Sequence, residues 1–213
     1  TYNGHTNTII GIEWVNPGIP GFVTLDSGGK AIFWNTNATA IQTTFMNTTN
    51  VYNMDSTSYN NMTYIAVSVG SSVIEFVLNS SSFTKLNTAY QATSGTYINN
   101  VIYGPGWSVL MAGTNTSQVQ AFNTSTKTYT NMTFSMAYNV NTFSLYSNNQ
   151  FALLNNGNQL YTFSFNNGTN LSYTNIGNFI VYWYRYDNLL RLHDDRLPFI
   201  LLHRHRLELL RLH

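Results

Sequence analysis

The chain has 213 residues, a formal net charge of +1, 8% charged residues and no cysteine. Between Thr1 and Tyr184 there are three lysines, no arginine and four carboxylates, so a phosphate-binding surface is excluded and no nucleic-acid partner is expected. Disulfides, thiolate metal sites and thiol nucleophiles are excluded as well. A content of 43% hydrophobic and 15% aromatic residues supplies a sizeable core. Val, Ile, Thr, Tyr and Phe outweigh strong helix formers, which predicts an all-β body. No run of 18 apolar residues is present, so no helical membrane span is expected. A chain opening on Thr1 rather than Met is expected to be a processed or truncated product.

Taken in chain order, the first predicted strands are Ile9 to Val15, Gly21 to Asp26, Ala31 to Asn35 and Ile41 to Met46. NPGIPG between the first two is turn chemistry, and its prolines keep it out of a ladder. The next four are Val51 to Asp55, Tyr64 to Val69, Val73 to Leu78 and Phe83 to Asn87. Then follow Tyr97 to Tyr103, Ser108 to Ala112, Gln118 to Asn123 and Tyr129 to Phe134. A fourth set comprises Thr142 to Tyr146, Gln150 to Leu154, Gln159 to Phe165 and Leu171 to Asn175. Phe179 to Tyr184 opens a fifth. In each set the second strand is nearly continuously apolar, the third alternates and the fourth is polar, as expected for strands running from a buried to an exposed edge.

These sets form a weak repeat of about 44 residues. The units are 5–46, 47–90, 91–134 and 135–177, with a fifth beginning at 178–184. The glycines Gly29, Gly70, Gly113 and Gly157, read as turn residues, are separated by 41, 43 and 44 residues, and Trp34, Phe76, Phe122 and Phe163 keep the same beat. Four strands in about 40 to 45 residues is what one propeller blade requires. The predicted fold is therefore all-β, a β-propeller of four repeat units, either a partial propeller or a fragment of a larger ring.

GHTNTIIGIEW followed by DSGGKAIFWN resembles a WD40 repeat, with Gly4-His5 as the opening dipeptide and Trp34-Asn35 in place of Trp-Asp. The resemblance implies that His5, Thr24 and Trp34 belong to a hydrogen-bonded structural tetrad. Its turn acid looks displaced, because Asp26 lies eight residues before Trp34 and Gly28 occupies the expected place. The later units share only the spacing, so the chain is also similar to divergent quinoprotein-like propellers. From Arg185 the vocabulary changes to Arg, Leu and His, and 185–213 is read as a non-native or frameshifted tail rather than a basic amphipathic helix.

Catalytic residue types are scarce. His5 is the only histidine before the tail, and no Gly-x-Ser-x-Gly elbow is present. Glu13, Asp26, Asp55 and Glu75 are the candidate ligand or metal acids; Glu75 stands out because it lies inside a strand between Ile74 and Phe76. No catalytic residue, metal or cofactor is assigned. Nine Asn-x-Ser/Thr sequons, at Asn37, Asn47, Asn61, Asn79, Asn115, Asn123, Asn131, Asn167 and Asn170, are glycosylation candidates. The neutral Asn/Ser/Thr/Tyr surface resembles that of secreted surface proteins of thermoacidophilic archaea. It implies an extracellular or cell-surface location and a surface little affected by acid. The expected function is a non-catalytic binding or scaffold module recognising protein or glycan through loops. A self-assembling subunit of a surface layer or filament and a propeller enzyme are the alternatives.

Overall fold

The computed structural model describes residues 3–15, 20–37, 39–46, 50–79, 82–92, 96–104, 107–126, 128–135, 140–147, 150–155, 159–166, 170–178, 180–183, 190–194, 197–203 and 206–209, with most side chains up to residue 126 and those of 159, 161 and 162. Its strands form four-stranded antiparallel sheets, each joined in sequence order. Sheet 1 contains β1 (Ile9–Val15), β2 (Gly21–Asp26), β3 (Lys30–Asn35) and β4 (Ala40–Phe45). Sheet 2 contains β5 (Val51–Tyr59), β6 (Met62–Val69), β7 (Ser72–Leu78) and β8 (Phe83–Gln91). Sheet 3 contains β9 (Ile98–Tyr103), β10 (Val109–Thr114), β11 (Gln118–Asn123) and β12 (Thr128–Ser135). Sheet 4 contains β13 (Val140–Ser147), β14 (Gln150–Asn155), β15 (Gln159–Asn166) and β16 (Asn170–Asn178).

A fifth sheet contains β17 (Ile180–Trp183), β18 (Leu190–Asp194), β19 (Leu197–His203) and β20 (Arg206–Leu209). Strands thus continue through the segment after Arg185, despite its change of composition. β5 runs four residues beyond its predicted end because Ser56 to Tyr59 pair with Met62 to Ile65. Asn60 (φ 50°) and Asn61 (φ 59°) then close a two-residue turn in the left-handed geometry that asparagine tolerates. Gly29 (φ 82°) and Gly70 (φ 57°) lie in turns as predicted. Gly113 does not: it lies in β10, paired with Val119 and Asn100, and Ser117 (φ 62°) takes the left-handed turn position instead. Gly157 lies outside the described residues.

The first strands β1, β5, β9 and β13 lie side by side as an inner ring, and the fourth strands face outward. Register fixes which residues share a face. Glu13–Val23–Phe33 in sheet 1 and Asp55–Ala66–Glu75 in sheet 2 are equivalent columns, both turned toward the next sheet. Val23, Leu25, Ala31 and Phe33 therefore meet Met54, Ile65, Val67 and Phe76 across the first seam. Across the second, Tyr64, Ala66, Val73 and Tyr90 meet Val101, Tyr103, Leu110 and Phe122. The third strands are buried on both faces rather than alternating; in sheet 1 the segment carrying Gly4 and His5 covers the face turned away from sheet 2.

On the face of sheet 1 turned away from sheet 2, Thr24, Ile32 and Trp34 are buried under the segment carrying Gly4 and His5, but β1 is exposed. Ile12 and Trp14 are 47% and 63% exposed, whereas Met54 and Val101, at the positions equivalent to Ile12 in β5 and β9, are each 4% exposed under the preceding sheet.

Candidate functional site

His5, Thr24 and Trp34 lie in one hydrogen-bonded relay, and Asp26 completes it. Trp34 Nε1 donates to Thr24 Oγ1 at 2.7 Å, His5 Nε2 lies 2.6 Å from the same oxygen, and His5 Nδ1 lies 2.8 Å from Asp26 Oδ2. An ionised Asp26 accepts a hydrogen bond from His5 Nδ1–H, and Thr24 Oγ1 joins the imidazole to the indole while lying 3.5 Å from the Ile32 carbonyl. The displacement of Asp26 in sequence is resolved by the turn, which wraps its other oxygen. Gly28 N–H and Lys30 N–H both donate to Oδ1 at 3.0 Å. A Cβ on Gly28 would collide with the Asn7 amide, so any larger residue there would have to displace that side chain. Burial alone would raise the Asp26 pKa, but the Lys30 amide, His5 and the Gly28 amide outweigh it and hold the carboxyl below the usual range.

A Thr–His–Asp line invites comparison with a nucleophilic triad. Here the hydroxyl is 3% exposed and already accepts the indole proton, so no acyl or phosphoryl centre can reach it. The relay pins the segment leading into sheet 1 to its second and third strands.

A second centre lies at the seam of sheets 2 and 3. Glu75 is fully buried, and its Oε1 accepts Tyr103 O–H at 2.6 Å and Trp107 Nε1–H at 3.1 Å. It faces the packed seam between the two sheets. Burial and the neighbouring Glu75 charge push the Tyr103 and Tyr90 hydroxyls up, so both stay protonated donors. Nearer the axis, Asp55 Oδ2 accepts Tyr103 N–H at 2.6 Å, and Asn53 Oδ1 accepts Val101 N–H at 3.2 Å. Side chains of β5 thereby satisfy the edge amides of β9.

Among solved structures, the chain is similar to the β-propeller domain of Cps50 (Swd1) from Myceliophteria thermophila, with a TM-score of 0.70 and 13% identity. The match covers 98% of this chain and 73% of that one. The fold is a β-propeller. Two structures of BBS1N in complex with ARL6DN, soaked with lead and with mercury, are similar at TM-scores of 0.61 and 0.62 and 11% and 12% identity. They are matched by 91% and 87% of this chain, which spans 63% and 62% of theirs. No family model and no curated protein matches the sequence.

The sheets are thus propeller blades, and the candidate acids are distributed among them rather than gathered. Glu13 is buried in blade 1 at the position that Asp55 holds in blade 2, Asp26 belongs to the relay, and Glu75 belongs to the seam. Among the described residues no three His, Cys, Asp or Glu side chains converge on a metal-sized site. The sequons at Asn37, Asn61, Asn79, Asn115 and Asn123 lie in turns or at strand ends, Asn131 and Asn170 lie in strands, and Asn47 and Asn167 are outside the described residues. Tyr103, Trp107 and Tyr64 were not singled out from sequence.

Burial raises the Asp55 carboxyl to about 7, against the Tyr103 and Ser56 amides that pull it down. The folded state therefore binds a proton that the unfolded state has released between about pH 4 and 7. Stability should fall as pH rises through that window, and Asp55→Asn should remove the slope. Urea unfolding at pH 4.5 and 7.5 measures this; a variant with the wild-type slope would assign the proton elsewhere.

Proposed function

We propose that this protein is a non-catalytic extracellular or cell-surface scaffold that docks a protein partner on the rim where the first strands end. The observation that carries this reading is the engagement of His5, Asp26, Asp55 and Glu75, each bonded to the propeller itself, while Trp14 and Tyr59 are exposed at the ends of the first strands β1 and β5. Aromatic side chains of this kind are the usual anchors of protein interfaces. The solved BBS1N propeller is in complex with ARL6DN, which supports partner binding as a use of the fold. The low charge content and the sequons support the extracellular placement.

Because the chain has no cysteine, single cysteines can carry a photo-cross-linker without background. Asn60 lies in the turn after a first strand and Thr116 in the turn after a second strand, so Asn60→Cys and Thr116→Cys sample opposite ends of the blades. With proteins of the native source, the rim reading expects a discrete adduct from position 60 and none from position 116. Adducts from both, or from neither, would defeat it.

The exposed apolar side chains of β1 favour a second reading, packing between copies of the chain. Ile9, Ile12 and Trp14 are exposed, whereas the following blades bury the equivalents of Ile12. Association detected by light scattering and reduced by Trp14→Ser would support that reading, and a concentration-independent monomer would remove it.

A further inference from the structure

The aromatic pair at the hairpin closing β5 and β6 has asparagine neighbours that the docking of a protein does not use. Tyr59 ends β5, is 41% exposed, and stacks on Trp107 with ring centroids 5.3 Å apart and planes 20° from parallel. Trp107 is covered on its inner side by Tyr64, whose centroid is 4.4 Å away. Its indole N–H is held by Glu75, and its carbonyl accepts the Thr124 hydroxyl. Its backbone lies at φ 61°, a conformation that costs a bulky residue energy and persists only when surrounding bonds impose it. Three independent contacts thus fix the ring on which Tyr59 rests, leaving one tyrosine face turned to solvent.

Immediately beside that face are Asn60 and Asn61, both exposed at the tip of the turn. Asn61 lies two residues from Tyr59, and four residues of a tight turn span less than about 7 Å between Cα atoms. Asn61-Met62-Thr63 is also a glycosylation sequon. The sequons at Asn79, Asn115 and Asn123 commit their side-chain carbonyl oxygens to backbone amides, accepting those of Ser82, Tyr97 and Ser125 respectively. No such bond engages Asn61 among the described residues.

We infer that the outer face of Tyr59 is a seat for a sugar ring, which stacks its C–H face on the tyrosine while the neighbouring amides meet its hydroxyls. A rigid aromatic face gives apolar contact at small entropic cost, and side-chain amides offer the paired donor and acceptor that vicinal hydroxyls match. A neutral ligand suits a surface with almost no formal charge. Two sources supply such a ring: a glycan attached at Asn61, or a free or partner-borne oligosaccharide. Thr63 of the sequon is 1% exposed, so attachment would precede closure of the hairpin. The inference extends beyond partner docking and stands or falls separately, since it reads sugar rather than protein adducts.

The test has two arms on the full chain. In the first, the protein is secreted from a glycosylating host, peptide-mapped, and melted before and after enzymatic deglycosylation. In the second, unglycosylated protein from bacteria is titrated with chitobiose while tryptophan emission is followed. Tyr59→Ala and Tyr59→Phe accompany both, the second keeping the ring if the first disturbs the hairpin. A sugar on Asn61 that raises the melting temperature in wild type and Tyr59→Phe, but not in Tyr59→Ala, assigns the attached source. Chitobiose binding weakened about tenfold by Tyr59→Ala and retained by Tyr59→Phe assigns the free source. Failure of both arms overturns the inference, as does binding of a proline-rich peptide at Tyr59 with no response to chitobiose.

Discussion

Replacing Thr24 by valine should lower the unfolding free energy by about 2–5 kcal/mol, because two buried polar groups lose their partner at once. The melting temperature should fall by roughly 5–15 °C in a chain of this size. Valine nearly matches threonine in volume, so little of the loss comes from a cavity. It comes from one oxygen, which accepts the Trp34 indole at 2.7 Å and supplies the His5 bond at 2.6 Å. Ile32→Val in the same column removes one methyl and no hydrogen bond, and should cost only about 0.5–1.5 kcal/mol. Calorimetry of the two variants measures the difference. Equal losses would mean that the relay contributes packing and nothing more.

The relay also has a pH signature opposite to that of Asp55. The Asp26 carboxyl is held below its usual value near 3.8, so its contribution is complete above that pH and is lost as pH falls through the folded-state value. Asp55, raised to about 7, makes the protein more stable as pH falls from 7 toward 4. Stability should therefore rise on mild acidification and decline only in stronger acid, rather than staying flat as the neutral surface alone suggests.

The blades were legible because burial imposes a period. Each unit must present apolar residues to two seams, and that demand repeats every 40 or so residues whatever the sequence identity. His5, Thr24 and Trp34 were legible through their resemblance to a known repeat. Asp26 was harder to place because spacing along the chain is a poor guide across a hairpin. As the last residue of β2, it pairs with Ile9, and a glycine turn bends two amides onto one of its oxygens. The partners of Glu75 were not legible at all. Tyr103 and Trp107 are 28 and 32 residues away in the next blade, and only the docking of one blade on another brings them together.

That docking makes Glu75→Leu the second large expected effect. The substitution leaves the Tyr103 hydroxyl and the Trp107 indole N–H without their acceptor inside a seam, at a cost of about 2–5 kcal/mol. Removing the orphaned donor as well should recover part of it. Tyr103→Phe in the Glu75→Leu background deletes the buried hydroxyl, while Trp107, only half-buried, can turn its N–H to water. A double-mutant cycle by urea unfolding should give a coupling of about 1–3 kcal/mol between positions 75 and 103. Tryptophan emission adds a local readout, because releasing Trp107 from Glu75 should shift its emission to the red. Strict additivity with unchanged emission would mean that the Glu75 hydrogen bonds do not hold the seam, leaving it to apolar contact and to the Asn53 and Asp55 bonds. A measured coupling would identify the buried Glu75 carboxylate as a polar clasp that, beside Asn53 and Asp55, sets how blades 2 and 3 meet.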